Sequence, residues 1–311
     1  MNKSLITYFV ILFILCAGFV MGASVMGEQG VYLAGGYMLT PAIAALITRL
    51  FFYKPRFTDA NLRFGRFKYY IKFWLYSLGI TVLSFSMFTL FGAIRWDFSG
   101  EAFLELLAQQ FAATGQDMLA SLPPGFTPQM MLWLFVIGGL TVFNIFPGMI
   151  SGFGEEFGHR GFMFPLLFPA KPWLGLLLGG FLFYLWHQPL LLVIPSDPEV
   201  PPWQTIVTQL SAMIGSIATH TYFSYVYAKS RSIFVPSVAH IALNNAARSF
   251  SYFVILRDQF TANIVQSLVM VLIVVFLLYK KELIVISEFL SANAARQHAQ
   301  EDATPLTKQV A

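Results

Sequence analysis

Charged residues are scarce in this sequence. Asp, Glu, Lys and Arg together make up 11% of the 311 residues, whereas a soluble domain carries roughly 25%. Hydrophobic residues make up 57%, Phe alone occurs 33 times, and the mean hydropathy is +0.67. These values exclude an ordinary soluble domain and predict an all-α, polytopic integral membrane protein.

Cysteine is almost absent as well. The single residue, Cys16, excludes a disulfide framework, a CxxC redox pair and a cysteine zinc site. The sequence also lacks the HExxH motif of helical zinc peptidases, so a metal would need ligands from His and carboxylate residues elsewhere. The net charge of +4 comes from basic residues near the ends of apolar stretches, as membrane topology requires, and we expect no nucleic-acid binding.

Eight apolar stretches are long enough to cross a bilayer as helices. They are residues 5–26, 31–53, 71–94, 129–152, 173–194, 205–227, 233–254 and 262–279. The first follows Lys3, but it is long for a signal peptide and no clear cleavage site follows it, so we interpret it as a retained helix. We expect N-terminal helices with a basic linker and an amphipathic segment at 1–128, a core at 129–280 and a polar tail at 281–311.

The loop charges predict an orientation, because cytoplasmic loops carry excess Lys and Arg. Residues 54–72 are basic, whereas 95–128 and 195–203 are acidic, the last through Asp197 and Glu199. We therefore place 54–72 and both termini in the cytoplasm of a multi-pass cell-membrane protein. We also expect an amphipathic helix at the outer interface within 95–128 and a tail that is disordered beyond about residue 295.

Polar residues interrupt three of the apolar regions. The first group is Glu155, Glu156, His159 and Arg160, the second is His187, and the third is His240, Asn244 and Asn245. An ionisable side chain inside a membrane is costly unless it is paired or solvated, and it marks a candidate functional site. His220 in the sixth stretch has no polar neighbour at helical spacing that suggests a site, and we interpret it as a core residue.

Helical spacing divides the two glutamates into two roles. Residues four apart share a helix face, and Glu156 precedes Arg160 in the favourable orientation, so we predict a structural ion pair. Arg160 neutralises one carboxylate well and two poorly, which leaves Glu155 as a candidate general base. His187 lies two residues before Pro189, which weakens the local hydrogen-bond ladder.

Two hydrolytic chemistries fit these residues. In one, Glu155 and His187 activate a water molecule while His240 and Asn244 stabilise the oxyanion. In the other, Glu155, His187 and His240 bind a divalent metal such as zinc together with the attacking water. A transporter or proton relay could use the same ionisable residues. A haem bound by His187 and His240 would leave the glutamates and Asn244 unexplained.

The order of these residues resembles the CPBP family of intramembrane proteases, which contains CAAX-processing endopeptidases and bacteriocin-processing Abi proteins. The EExxxR motif of that family matches Glu155, Glu156 and Arg160, FxxxH matches Phe183 and His187, and HxxxN matches His240 and Asn244. Each motif alone is weak, but all three in order are specific. The resemblance covers about residues 147–250.

The resemblance implies an endopeptidase in which Glu155 and His187 activate water, His240 and Asn244 form the oxyanion pocket, and Glu156 with Arg160 braces the first glutamate. The family has been described both as metal-dependent and as glutamic-type, and a catalytically silent scaffold is a further alternative. The resemblance also implies that the substrate is a peptide or a membrane-associated protein at the lipid bilayer. The substrate would carry a lipidated C-terminus or a leader peptide. His159 occupies the position where this branch of the family usually has tryptophan. It either tunes the pKa of Glu155, acts as an extra ligand, or replaces an aromatic ring at the interface.

Helix depth constrains this site. At about 1.5 Å per residue, His240 lies roughly 10 Å from the cytoplasmic end of its helix and His187 more than about 20 Å, whereas Glu155 lies close to the end of its own span. These residues can meet only if the fourth span breaks. We therefore predict a break near 147–154 and a water-filled cavity that opens to the cytoplasm.

Overall fold

Long helices make up almost the whole fold. The computed structural model describes residues 3–27, 30, 33–112, 125–191 and 200–302. The helices are α1 Lys3–Met26, α2 Ala34–Tyr37, α3 Thr40–Phe51, α4 Phe67–Leu90, α5 Glu101–Ala112, α6 Pro128–Leu140, α7 Gly148–Gly158, α8 Phe164–Leu166, α9 Pro172–Leu191, α10 Pro202–Ser230, α11 Phe234–Ser251, α12 Gln259–Tyr279 and α13 Ile284–Asp302. Two short strands are β1 Ile94–Trp96 and β2 Val254–Leu256.

Several helices have the length and apolar composition of membrane spans. Helices α1, α4, α9 and α12 are long and apolar enough to cross a bilayer, and α6 together with residues Val142–Leu166 adds a fifth, bent candidate. Helix α10 is 29 residues long but less apolar, because its buried face carries His220, Thr221 and Ser224. The protein is therefore a helical membrane protein, as predicted, while the count of eight spans and the side of the termini stay predictions.

The two strands join the far ends of two helices. β1 follows α4 and β2 follows α11, and they pair antiparallel with Ile94 opposite Leu256. The sequence does not predict these strands, because three residues are too few to show the alternation of apolar and polar side chains that is typical of a strand. The pairing holds the C-terminal ends of α4 and α11 at one end of the bundle.

The basic segments meet at the opposite end. The Asn61 side-chain amide donates to the Tyr227 hydroxyl at 2.9 Å, and the Arg63 side chain donates to the Arg231 carbonyl at 2.6 Å. Lys229 pairs with Glu282 at 2.8 Å, which holds the pKa of that carboxyl below its usual range. The loop 54–72, which we predict to be cytoplasmic, therefore lies at the same end of the bundle as Lys229 and Arg231.

The predicted break in the fourth span is present, but it lies at residues 141–147. Here α6 ends, a 3₁₀ turn covers Val142–Asn144, and the chain bends by 48° before α7 begins at Gly148. Gly152 and Gly154, which belong to the predicted range 147–154, are instead inside α7. The glutamates therefore lie within a separate short helix.

Glycines let α7 approach helices on two sides. A Cβ on Gly152 would lie 2.5 Å from the Ser237 carbonyl oxygen of α11, and one on Gly158 would lie 2.5 Å from the backbone of Pro41 in α3. The pairs Gly148 with Gly152 and Gly154 with Gly158 each have the small-xxx-small spacing that permits close helix packing in membranes. Side chains at these positions would push α7 out of the bundle.

Two expectations outside the core have different outcomes. The amphipathic helix within 95–128 is present as α5, whose Phe103 and Leu107 are buried against α6 and Tyr252. We expect disorder beyond about residue 295, but that prediction is wrong for residues 296–302, because α13 continues to Asp302. Its first turns bury Phe289 and Leu290, and the alanines that follow favour continuation of the helix. Residues 113–124 with Asp117, 192–199 with Asp197 and Glu199, and 303–311 lie outside the described residues.

Gly158→Ala tests the packing of α7. An added methyl has no room beside Pro41, so we expect a lower melting temperature of the purified protein in detergent, although Gly to Ala in a helix ordinarily adds about 0.5–1 kcal/mol of stability. Gly79→Ala in α4 is the matched control, because its Cβ would meet no atom within 4 Å. Equal melting temperatures for the two variants would contradict close packing at Gly158.

Candidate active site

The two glutamates lie on α7, surrounded by other helices. Glu155 is 3% exposed and Glu156 is fully buried. Helix α7 packs against α3 on one side and α11 on the other. The glutamates are therefore removed from lipid and face groups supplied by neighbouring helices.

Glu156 accepts two hydrogen bonds on the same oxygen. Its Oε1 lies 2.9 Å from Arg160 Nη1 and 2.8 Å from His240 Nδ1. The first contact is the ion pair predicted from helical spacing, and it is confirmed. The second crosses from α7 to α11 and is not visible in the local sequence. Glu156 thus fixes both an arginine of its own helix and a histidine of another.

His240 lies between the two carboxylates. Its Nδ1 is bound to Glu156, and its Nε2 lies 3.9 Å from Glu155 Oε2. That separation is too long for a direct hydrogen bond. Among the described residues, Glu155 Oε2 has no hydrogen-bond partner. A carboxylate oxygen and a ring nitrogen therefore face each other with no bond between them.

Aromatic rings hold the charged groups in place. The His240 ring stacks on Phe223 with 4.6 Å between centroids, and the Arg160 guanidinium lies 4.6 Å from the centroid of Phe183. A cation over an aromatic face is attracted by the ring quadrupole, and more strongly where water is absent. Phe183, the first residue of the FxxxH motif, therefore supports Arg160 as well as its own helix.

His187 has a defined tautomer. Its Nδ1 lies 2.8 Å from the Phe183 carbonyl oxygen, and because a carbonyl only accepts, Nδ1 carries the proton. In the neutral ring, Nε2 is then the free base. The ring packs against Trp186 with 4.5 Å between centroids. Within the described residues, no hydrogen bond or ion pair joins His187 to either glutamate.

Elements near the N-terminus hold Trp186. Its indole Nε1 donates to Thr40 Oγ1 at 3.1 Å, its ring stacks on Tyr37, and the Tyr37 hydroxyl donates to its carbonyl oxygen. Local sequence reasoning does not find these contacts, because Tyr37 and Thr40 lie far away along the chain. The residue preceding His187 is thereby fixed by α2 and α3.

Arg49 is a second buried arginine that the sequence motifs do not reveal. It is 1% exposed, pairs with Asp59 at 2.6 Å, and donates from Nη2 to the Gly161 carbonyl oxygen at 2.6 Å. Gly161 belongs to a π-helix over His159–Met163 that directly follows the glutamates. Arg49 thus anchors this wider turn, where the chain leaves the site.

The two asparagines of α11 have different surroundings. Asn244 lies one turn beyond His240, on the same helix face, and is exposed. Asn245 is partly buried, and its amide donates to Asn144 Oδ1 at 2.8 Å, which links α11 to the break before α7. The exposed amide of Asn244 is free to meet a ligand, whereas Asn245 has a structural partner.

His159 lies in an aromatic pocket. It is 1% exposed and contacts Phe183 and Trp186 edge-on, with about 5 Å between ring centroids. Neither ring nitrogen has a hydrogen-bond partner in the part of the chain that the structure describes. His220, interpreted as a core residue, is fully buried beside Phe164 and likewise lacks a partner among those residues.

His159 also lines an apolar cavity between α1 and α9. The cavity has a volume of about 430 Å³, within the usual range of roughly 300–1,000 Å³ for small-molecule pockets. Its other walls include Leu12, Cys16, Leu182, Trp186 and Pro189. Since Trp186 and Pro189 flank His187, the cavity adjoins the candidate site.

The alternative metal set does not come together here. Within the described ranges, no group of three or more His, Cys, Asp or Glu side chains is arranged to hold a metal ion. Glu155 and His240 approach each other, but His187 does not join them. We therefore derive no step through a metal from this arrangement.

Removal of the Glu156 carboxylate should destabilise the protein strongly. Glu156→Ala leaves Arg160 buried without its partner, which typically costs about 3–5 kcal/mol. Glu282→Ala breaks the partly exposed pair with Lys229, and exposed pairs contribute about 0–1 kcal/mol. Thermal unfolding in detergent should show a much larger fall in melting temperature for Glu156→Ala. Similar falls would mean that Arg160 does not depend on Glu156.

A comparison with known proteins finds a matching family. A family model described as type II CAAX prenyl endopeptidase, Rce1-like, matches residues 137–246. The match runs from the end of α6 into α11 and includes every motif residue discussed above. It confirms the resemblance to the CAAX proteases over about a third of the chain. No curated protein matches the sequence.

Proposed function

We propose that the protein is an intramembrane endopeptidase that hydrolyses a peptide bond near the C-terminus of a prenylated substrate, because residues 137–246 match an Rce1-like type II CAAX prenyl endopeptidase model. The observation that carries this proposal is the buried arrangement of Glu155, Glu156 and His240, contributed by two helices. Proteases need a base, an oxyanion site and a fixed geometry. These residues supply them inside the matched segment.

Activation of water is the first step. Glu155 Oε2, which has no partner among the described residues, accepts a proton from a water molecule as the water oxygen attacks the scissile carbonyl carbon. His187 assists by accepting a hydrogen bond from that water at Nε2, since its Nδ1 proton is already donated to Phe183. The attack forms a tetrahedral intermediate whose oxygen carries the negative charge.

Stabilisation of the oxyanion is the second step. Asn244 donates from its exposed amide, and His240 donates from Nε2. Since Nδ1 of His240 also donates to Glu156, both ring nitrogens must be protonated for this role. The intermediate then collapses, the carbon–nitrogen bond breaks, and the departing amine takes the proton held by Glu155.

Glu156 and Arg160 act as positioning residues in this scheme. Glu156 orients His240 through the Nδ1 hydrogen bond, as the aspartate of a Ser-His-Asp triad orients its histidine. Arg160 holds the Glu156 carboxylate in place through its bond to the same oxygen. Neither residue needs to touch the substrate.

The apolar cavity beside His187 suits the lipid part of the substrate. The matching family is described as prenyl endopeptidases, and an isoprenoid chain is apolar and slender. The cavity lies between α1 and α9, both candidate membrane spans, so a prenyl chain can approach it from the bilayer. This chemistry favours a lipidated C-terminus over a leader peptide as substrate. We further propose that the peptide enters from the cytoplasm, at the end of the bundle where the basic loops meet.

Loss of the Glu155 carboxylate should abolish cleavage while the protein remains folded. We expect Glu155→Gln to lower kcat/KM for a fluorogenic farnesylated peptide by at least about 100-fold in proteoliposomes, because proton transfer by a positioned base contributes that much. Glu105→Gln, an exposed position on α5, is the control and should leave activity unchanged. A wild-type protein that cleaves no peptide but moves protons or a solute in a Glu155-dependent way would contradict the protease.

Filling the cavity should weaken binding of the prenyl group. For Leu182→Trp we expect KM for the farnesylated peptide to rise about tenfold, equivalent to about 1.4 kcal/mol, with kcat little changed because only binding is affected. Leu75→Trp, on an exposed face of α4, is the matched control. An unchanged KM for Leu182→Trp would place the prenyl group elsewhere.

A further inference from the structure

Arg248 continues the line of site residues along α11. His240, Asn244 and Arg248 follow at intervals of four, so they share one stripe of the helix. Arg248 is exposed and lies about 6 Å along the helix axis from Asn244 and about 12 Å from His240. It also lines a second cavity, of about 360 Å³, whose walls include Phe135, Phe143, Pro147, Asn245 and Tyr252.

Arg248 differs from Arg49 and Arg160, the two arginines that contact the candidate site. Arg49 pairs with Asp59 and Arg160 with Glu156, and both are buried. Among the described residues, no carboxylate lies within ion-pair distance of Arg248. An arginine is always charged, and its planar guanidinium matches a carboxylate in two parallel hydrogen bonds. Arg248 is therefore suited to an anion that comes from outside the chain.

The cavity walls define the rest of that ligand. Asn245 is engaged with Asn144, and the Ser249 hydroxyl faces the Val136 carbonyl oxygen at 3.4 Å. The charge at this place is thus supplied by Arg248, while Phe135, Phe143 and Tyr252 offer apolar surface. An apolar side chain attached to a negatively charged end group has this composition.

The spacing agrees with a short peptide end. An extended chain advances about 3.3 Å per residue, so a carboxylate three residues beyond the scissile carbonyl lies roughly 10 Å from it. If that carbonyl is held between His240 and Asn244, as the proposed function requires, the terminal carboxylate comes within reach of the Arg248 side chain.

We propose that Arg248 binds the free α-carboxylate of the substrate, and that the adjoining cavity receives the last side chains before it. This inference rests on the proposed endopeptidase function and makes Arg248 a specificity residue for that reaction. The protein would thereby recognise the end of a chain and set the length of the released peptide.

A pair of peptides tests this directly. The same farnesylated sequence is prepared with a free C-terminal carboxylate and with a C-terminal amide, and kcat/KM is measured for both in proteoliposomes. We expect the wild type to prefer the acid by about 10- to 100-fold, the range of a hydrogen bond between charged groups. Arg248→Gln should slow cleavage of the acid by that factor, leave the amide nearly unchanged, and so abolish the preference. Arg248→Lys should retain part of it, since lysine keeps the charge but not the two-point geometry.

Arg257→Gln is the matched control, because Arg257 is exposed at the same end of the bundle and is not part of the cavity wall. It should keep the wild-type ratio of acid to amide. A general folding defect would lower both rates together and leave the ratio unchanged.

Three other results would overturn the inference in distinguishable ways. If Arg248→Gln keeps the wild-type ratio, Arg248 does not bind the carboxylate, although the protease itself stands. If Arg248→Gln loses activity equally on both peptides, and only in vesicles that contain anionic phospholipid, then Arg248 binds a lipid phosphate. If the wild type cleaves neither peptide, the proposed function and this inference fail together.

Discussion

The carboxylate of Glu156 is the contact on which the rest of the site depends. It is fully buried, and one of its oxygens binds both Arg160 and His240. A buried charge without a partner is strongly destabilising, so these groups can exist at this depth only as a set. The hydrogen bond that His240 Nδ1 donates to Glu156 also determines which nitrogen of His240 is directed toward Glu155. Glu156 Oε1 therefore both pairs with the buried charge of Arg160 and orients the ring of His240.

Close packing is the condition under which that set can form. Helix α7 is short, and its glycines at 148, 152, 154 and 158 bring its backbone against α11 on one side and α3 on the other. With larger residues the helix axes would lie farther apart, and the 2.8 Å hydrogen bond that His240 Nδ1 donates to Glu156 Oε1 could not form. The bend after α6 serves the same purpose, because it moves the glutamates from the end of a membrane span into the interior of the protein.

Much of this could be predicted from the sequence, and the remainder has physical reasons for being hidden. The helical membrane class follows from composition, and the Glu156–Arg160 pair follows from spacing on one helix. The depths of His187 and His240 require a break in the fourth span, but they do not fix its position. Glycines occur both at bends and at close helix contacts, so Gly152 and Gly154 do not locate the break. No local pattern encodes the specific tertiary contacts, which are the hydrogen bond from His240 to Glu156, the Thr40–Trp186 contact and the Arg49–Asp59 pair. The continuation of α13 was missed because polar composition conceals a helix whose first turns alone are buried.

The anchoring of Trp186 by Tyr37 and Thr40 bears on how this protein can be divided. Both anchors, together with Pro41 against Gly158 and Arg49 at Gly161, lie outside the segment that matches the CAAX proteases. The matched segment is consequently not a portable module. If it were excised or grafted onto another membrane scaffold, the face of α7 that packs on α3 and the Trp186 ring would lose these contacts. The first three helices therefore support the candidate site, although none of its motif residues lies on them.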